Sequence, residues 1–486
     1  MKREQQAAQK RTRKLEALDP LLHPKSRDLL HQESQFVDHF YDLVTTSINP
    51  PFSISIDGLW GSGKTSIMKM LQNRLDARWK IDAACLEALK NTGMDSTVLE
   101  QLQSLKNNLC YTDQQEFRNA LAFEIGEAAF HRYGTTIVEH AELQESPYPT
   151  FWFNPWKYQD AENIVLAFLQ DLSQQACNKI KQGISEGLKL LSVIGLLGID
   201  ASLSRLNLSL KGVKDMGELL EKNWNTPSEG YTDVLKEIEK EFTALVQKIS
   251  NERDGKPVII FFDDLDRCLP EKAIALLEAV KNLFIVPDTP VIFVCGIDTH
   301  IAKQFIRSRY NNLEDSFAIN YFRKIFNISF SMPANPPVYT LLTEYIQELM
   351  GWNAEEAEKL AGMLNTRGVQ AEITSVRKFL NVVHNLYTFQ SFNPNYRFTP
   401  DKDFVVYLLL IKEAWYPLYR ELLQEALKNR SESVESSVSK VKKACEARKE
   451  PLLKEQEEFL ANYLSSESEF GEEGFYDLLK EYPTLP

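Results

Sequence analysis

The chain has 486 residues, 43% of them hydrophobic and 25% charged, with a formal net charge of -13. That length supports one large elaborated domain or two to three smaller ones, and the composition excludes wholesale disorder. The acidic balance excludes a general nucleic-acid coat, which rests on clustered Lys and Arg neutralising phosphates, and leaves room only for a local basic patch.

Six cysteines lie far apart with no CxxC pair, and seven histidines are scattered. This spacing offers neither a zinc site nor a disulfide framework and reads as free thiols in a reducing cytoplasm. The N-terminus, MKREQQAAQKRTRK, is basic without the apolar core of a signal peptide. The most apolar stretch, residues 188–199, is shorter than the roughly 20 residues a spanning helix needs. It is open to three readings: a buried helix, a partner-binding helix or an interfacial membrane contact.

In chain order, residues 1–35 form a polar arm. The alternating run Phe52-Ser53-Ile54-Ser55-Ile56 predicts a strand, followed by a glycine-rich turn and a helix from Lys64. Residues 80–148 read as a mainly helical insertion. A buried strand is expected within Pro149–Trp156, then a helix carrying Ile164, Phe168, Leu172 and Ala176 on one stripe. The aromatic rings of that strand read as core rather than as a nucleic-acid platform. Residues 181–230, rich in Gly, Ser and Asn, read as a second insertion. An amphipathic helix over residues 235–249 leads into the apolar strand Val258–Phe262, and Pro270 opens another helix. Val291–Val294 predicts a further strand ending at Asp298, and Ile325–Met332 a last one. The sequence beyond 335 is helical, with a subdomain to 430 and a helical, acidic tail to 486. Short apolar strands alternating with amphipathic helices predict a parallel sheet covered on both faces.

The string Gly58-Leu59-Trp60-Gly61-Ser62-Gly63-Lys64-Thr65 fits GxxxxGK[ST] at every fixed position, between a strand and a helix. Glycines let successive backbone N–H groups turn inward onto phosphate oxygens, and the helix N-terminus adds a favourable dipole. Lys64 is then expected on the β and γ phosphates and Thr65 on Mg2+. Asp263 and Asp264 end the strand that such a loop requires. Asp263 reads as the magnesium-shell ligand and Asp264 as the group that orients or polarises the attacking water. Two adjacent carboxylates are costly to bury without a cation, so a metal explains them better than packing does. Arg267 reads equally as a catalytic residue or as one half of a salt bridge with Asp266 at the strand-helix corner. ATP is preferred over GTP because no NKxD-type guanine-reading motif follows.

With these residues in place, the chain resembles the KAP family of P-loop NTPases. The likeness rests on GLWGSGKTS at 58–66, FWFNPWKYQ at 151–159, IIFFDDLDRC at 259–268, VIFVCGID at 291–298 and YFRKIFNISFSMP at 321–333. The resemblance implies a RecA/AAA+-like α/β parallel sheet with helical insertions and a helical C-terminal subdomain, the acidic strand lying away from the P-loop strand. It implies nucleotide contacts from Gly58, Trp60, Gly61, Ser62, Gly63, Lys64, Thr65 and Ser66. Asp298 matches the family's polar sensor position, the alternative being a helix N-cap. Arg377 resembles a sensor arginine that a helical subdomain presents to the γ phosphate, the alternative being a solvated surface arginine. Arg323 reads as a surface arginine more readily than as a finger reaching across a subunit contact. Many members carry paired membrane-spanning helices between the P-loop and the acidic strand, and this chain contains no such segment. Prokaryotic members without spans are linked by analogy to defence against phage.

The expected activity is an ATPase that switches its helical subdomain or its assembly, with ATP and Mg2+ as cofactors. Protein partners, among them a defence effector encoded nearby, and homo-oligomerisation fit this reading. Two rivals remain: a nucleotide-gated scaffold with little turnover, and an ATP-driven DNA-handling factor.

Overall fold

The computed structural model describes residues 33–179, 229–309, 315–332, 338–399, 403–429 and 432–464, apart from positions 108, 144, 162 and 374, together with residue 476. The N-terminal arm to residue 32, nearly all of the 181–230 insertion with its apolar stretch at 188–199, and the acidic tail beyond 464 (position 476 apart) lie outside the described residues.

Five parallel strands form the central sheet: β1 (Phe52–Asp57), β4 (Thr150–Phe153), β5 (Val258–Phe262), β6 (Val291–Ile297) and β7 (Ile328–Ser331), in the spatial order β4-β5-β6-β1-β7. Every residue of β5 and β6 is buried, as expected of parallel strands with helices on both faces. Side chains alternate between two cores. Ile54, Ile56, Ile259, Phe261, Ile292 and Val294 pack on one face, and Val258, Ile260, Phe262, Val291, Phe293 and Cys295 on the other. Each such side chain contributes about 1.5–3 kcal/mol on burial.

Ser53 and Ser55, which alternate with the apolar residues of β1, are buried too. Their hydroxyls are satisfied across the sheet, Ser53 Oγ donating to the Ile325 carbonyl at 2.6 Å and Ser55 Oγ lying 2.7 Å from Ser329 Oγ. Satisfied hydroxyls make burial affordable. The strand expected within 149–156 stops at Phe153, because Asn154 accepts from the Trp156 amide and starts a 3-10 turn over Pro155–Tyr158.

The helices α1 (Glu33–Asp42) and α2 (Lys64–Asp76) cover one face. The other is covered by α7 (Ile164–Lys179), α8 (Glu229–Asn251), α9 (Pro270–Ala279), α10 (Thr299–Arg309) and α11 (Asp315–Ile325). Between α2 and β4 the chain builds a small unit with its own core around Leu89, Leu102, Phe117, Leu121 and Ile137. It holds α3 (Ala83–Lys90), α4 (Ser96–Ser104), α5 (Gln114–Ile125) and α6 (Glu127–Ala141) beside the antiparallel pair β2 (Trp79–Lys80) and β3 (Cys110–Tyr111). Asp82, Asp95 and Asp113 cap the first three of these helices by accepting from the amides of Cys85, Thr97 and Glu116.

Beyond β7 the described chain is helical: α12 (Val338–Met350), α13 (Ala354–Gln370), α14 (Val376–Phe392), α15 (Phe404–Ala414), α16 (Tyr416–Lys428), α17 (Val434–Ala447) and α18 (Lys454–Tyr463). A single hydrophobic cluster runs from Leu342 to Leu464, so α17 and α18 share the core of the helices before residue 430. Among the described residues no helix is long and apolar enough to cross a membrane.

Candidate functional site

The carboxyl ends of the parallel strands come together at one edge of the sheet, where loops leave the ladder and side chains are freed for binding. In the pairing register Phe262 lies beside Cys295 and Asp57 beside Ile297. This brings Gly58, Asp263 and Asp298 to the same edge, with β6 standing between the loop strand and the acidic strand.

The loop itself is held by backbone geometry. The Gly58 amide donates to the Ile297 carbonyl at 3.2 Å, and the Ser62 amide to the Leu59 carbonyl at 3.1 Å. Gly61 and Gly63 sit at φ +78° and +99°, where an L side chain is strained, and Gly63 starts α2 from that left-handed conformation. Trp60 and Leu59 are more than half exposed at the loop's tip. Ser66 lies in the first turn of α2, which Lys64 opens.

Lys64 is buried, its ammonium donating to the carbonyls of Gly58 at 2.5 Å and Leu59 at 3.2 Å and lying 3.5 Å from Asp266 Oδ2. The Thr65 hydroxyl donates to Asp263 Oδ1 at 3.1 Å, joining residues 198 positions apart. The other carboxylate oxygen, Oδ2, is buried and has no protein partner. Burial first, and then the neighbouring Asp264, push the Asp263 carboxyl well above the usual carboxylate range, with the Thr65 bond pulling the other way.

Asp264 adopts φ +57°, unusual for a residue with a side chain and tolerated best by Asp and Asn. That kink turns the chain out of β5 into the 3-10 turn Leu265–Arg267 and sends three nearby carboxylates in different directions. Asp263 meets Thr65. Asp264 accepts from Asn154 Nδ2 at 2.9 Å on one oxygen and pairs with Arg267 Nε at 3.0 Å on the other. Asp266 accepts from the Trp60 indole at 3.0 Å and faces Lys64. Burial raises the Asp266 carboxyl, opposed by Lys64 and by the indole bond. Arg267 also lies over the half-exposed Trp156 ring, 5.4 Å from its centre.

Arg267 thus forms an ion pair at the strand-helix corner, with Asp264 and not with Asp266 as its partner. Asp298 is buried and its Oδ1 accepts from the amides of His300 and Ile301 at 3.0 and 3.4 Å, which caps α10. Arg377 is exposed near the start of α14, and a side chain built on Gly61 would come within 3.0 Å of its Cβ and 3.1 Å of Ser375 Oγ. The helical region therefore touches the glycine loop. Arg323 is exposed in the last turn of α11.

Sequence reasoning missed Asn154, the Lys64–Asp266 pair and the Trp60 indole bond. A signal for Asn154 existed: a polar residue directly after an apolar run, at the end of a strand neighbouring the acidic one. The other two had none, because Asp266 and Trp60 are 206 positions apart.

Magnesium fits these residues. A buried, unpartnered carboxylate oxygen beside a threonine hydroxyl suits a hard cation that keeps several waters and takes phosphate oxygens as its remaining ligands. Among the described residues no group of three or more His, Cys, Asp or Glu side chains could cage a metal.

The model of the KAP family P-loop domain matches residues 33–393. An uncharacterised protein, MJ0182, of Methanocaldococcus jannaschii is 26% identical over 173 residues, covering 30% of this chain and 88% of the relative. Among solved structures, the Aeropyrum pernix ORC2 protein in ADPNP-ADP complexes aligns over 93% of this chain and 85% of its own, at 12% identity and a TM-score of 0.33.

Proposed function

The chain belongs to the KAP family of P-loop domains, and from that premise we propose that it binds Mg-ATP at the Gly58–Thr65 loop and hydrolyses it to switch its helical region or its assembly. The loop amides and the N-terminus of α2 receive the β phosphate, with contacts from Gly58, Trp60, Gly61, Ser62, Gly63 and Ser66. Lys64 neutralises the β and γ oxygens. Thr65 and Asp263 would hold magnesium, which would neutralise charge developing on the phosphate oxygens.

Asp264 orients the attacking water and accepts its proton, held in place by Asn154 on one oxygen and Arg267 on the other. Arg377 approaches from α14, so a γ phosphate would clamp the helical region onto the loop and its loss would release it. Asp298 shapes this edge by holding α10. Defence against phage or signalling, with an effector encoded nearby, is the setting in which we place this switch, on the family resemblance.

The observation that carries the reading is the Thr65–Asp263 hydrogen bond, which joins glycine loop and acidic strand and leaves one buried oxygen for a cation. Phosphate release and binding of a fluorescent ATP analogue test it together. Lys64→Ala is expected to remove both. Asp264→Asn is expected to keep binding within about threefold while lowering turnover by about a hundredfold or more, the usual reach of general-base catalysis. Unchanged phosphate release from Lys64→Ala would refute the assignment.

A further inference from the structure

One carboxylate at the site has no part in the reaction as described above. Asp266 is buried, and a single oxygen, Oδ2, accepts the Trp60 indole N–H at 3.0 Å and faces the Lys64 ammonium at 3.5 Å. Trp60 belongs to the glycine loop and is 54% exposed. Lys64 is at the same time bonded to the Gly58 and Leu59 carbonyls, so loop, lysine and carboxylate form one closed ring of contacts. A buried cation stripped of water must be matched by anions or carbonyls, and here Asp266 supplies the formal charge.

Resting on the binding reading above, we propose that Asp266 is a positioning residue that holds Lys64 and Trp60 in this ring and is displaced by the γ phosphate of a nucleoside triphosphate. The physical reason is competition. Lys64 cannot serve the β and γ oxygens while keeping all of its present partners, and a γ phosphate drawn to Lys64 brings further negative charge within a few ångströms of Asp266. Like charges at that range in a site shielded from water repel strongly. Asp266 then loses its hold on Lys64, and the Trp60 indole loses its acceptor. A diphosphate lacks the γ oxygens and confronts Asp266 with less charge. The ring therefore sets a threshold that opposes the triphosphate more than the diphosphate, and Trp60 at the loop tip changes surroundings when it opens.

Titration calorimetry with Mg2+ and either a non-hydrolysable ATP analogue or ADP tests the proposal on the full chain. Asp266→Asn keeps the size and an acceptor for the indole while removing the charge. It is expected to tighten the triphosphate analogue by about tenfold and ADP by roughly twofold, the difference being the removed repulsion between the Asp266 charge and the γ phosphate. Triphosphate affinity that is equal or weaker in Asp266→Asn overturns the proposal. Should that variant not fold, Trp60→Phe at the half-exposed loop tip supplies the second measurement. The change in tryptophan emission on adding the triphosphate analogue to the wild-type protein is expected to be absent in Trp60→Phe, and its persistence there overturns the proposal. If the wild-type protein binds neither nucleotide, the binding reading itself falls and the ring with it. If it binds both and Asp266→Asn matches it, only the ring falls.

Discussion

Asp263 and Asp264 are neighbours in sequence and opposites in environment. Asp263 is buried with an unpartnered oxygen, whereas Asp264 has an amide on one oxygen and a guanidinium on the other. The folded pKa of Asp263 lies above its unfolded value of about 3.9, so ionisation penalises the folded state. The penalty is absent below the unfolded value, grows as pH rises through the folded one and is complete above it. Without nucleotide, Asp263→Asn is therefore expected to melt at least about 2 °C above the wild-type protein at pH 8. The gap should close as pH falls toward 4, and magnesium-dependent phosphate release should be lost at every pH. Thermal melts across pH 4–8 check this. A gap that widens toward acid would contradict the burial argument. The buried thiols are placed oppositely to reactive ones: burial pushes Cys85, Cys110 and Cys268 up to about 12, which keeps them protonated and unreactive.

Among the elements, α14 links the helical region to the phosphate loop. Ser375 caps it by accepting from the Lys378 amide, and the same residue faces Gly61. Its Phe379 ring lies against α13, where a Cβ added to Gly368 would meet Phe379 Cε1 at 2.5 Å. Phe379 is buried in the helical core and has little room to move. Gly368→Ala gains about 1 kcal/mol of helix propensity and costs about 1–3 kcal/mol in overpacking. Its net effect is expected to be a loss of stability, read as a lower urea midpoint with an unchanged slope. A raised midpoint would mean that the two helices separate without cost.

At the scale of the molecule, the sheet edge and the helical region meet at Gly61. A ligand contacted from both sides stabilises their arrangement in proportion to its affinity for it. A non-hydrolysable triphosphate is thus expected to raise the melting temperature of the wild-type protein further than ADP does. In Arg377→Ala the difference between the two nucleotides should shrink, because the share of the γ-phosphate increment that Arg377 supplies is lost. Retention of the wild-type difference would place Arg377 outside the site.

Local sequence was enough for the elements that rest on local chemistry. The glycines at 61 and 63 mark a turn only they adopt without strain, the apolar runs at 258–262 and 291–297 leave no wet face, and Pro270 opens a helix. These patterns determined a P-loop α/β domain with an acidic strand end. The family resemblance implied an acidic strand away from the loop strand, and only the tertiary structure decided that β6 is the strand between them, that Asn154 and Arg267 take the two oxygens of Asp264, and that Asp266 faces Lys64. The physical reason is one of range. Propensity and periodicity act over a few residues, whereas these contacts join side chains 110 and more positions apart, or follow from the left-handed turn at Asp264, which no residue pattern announces.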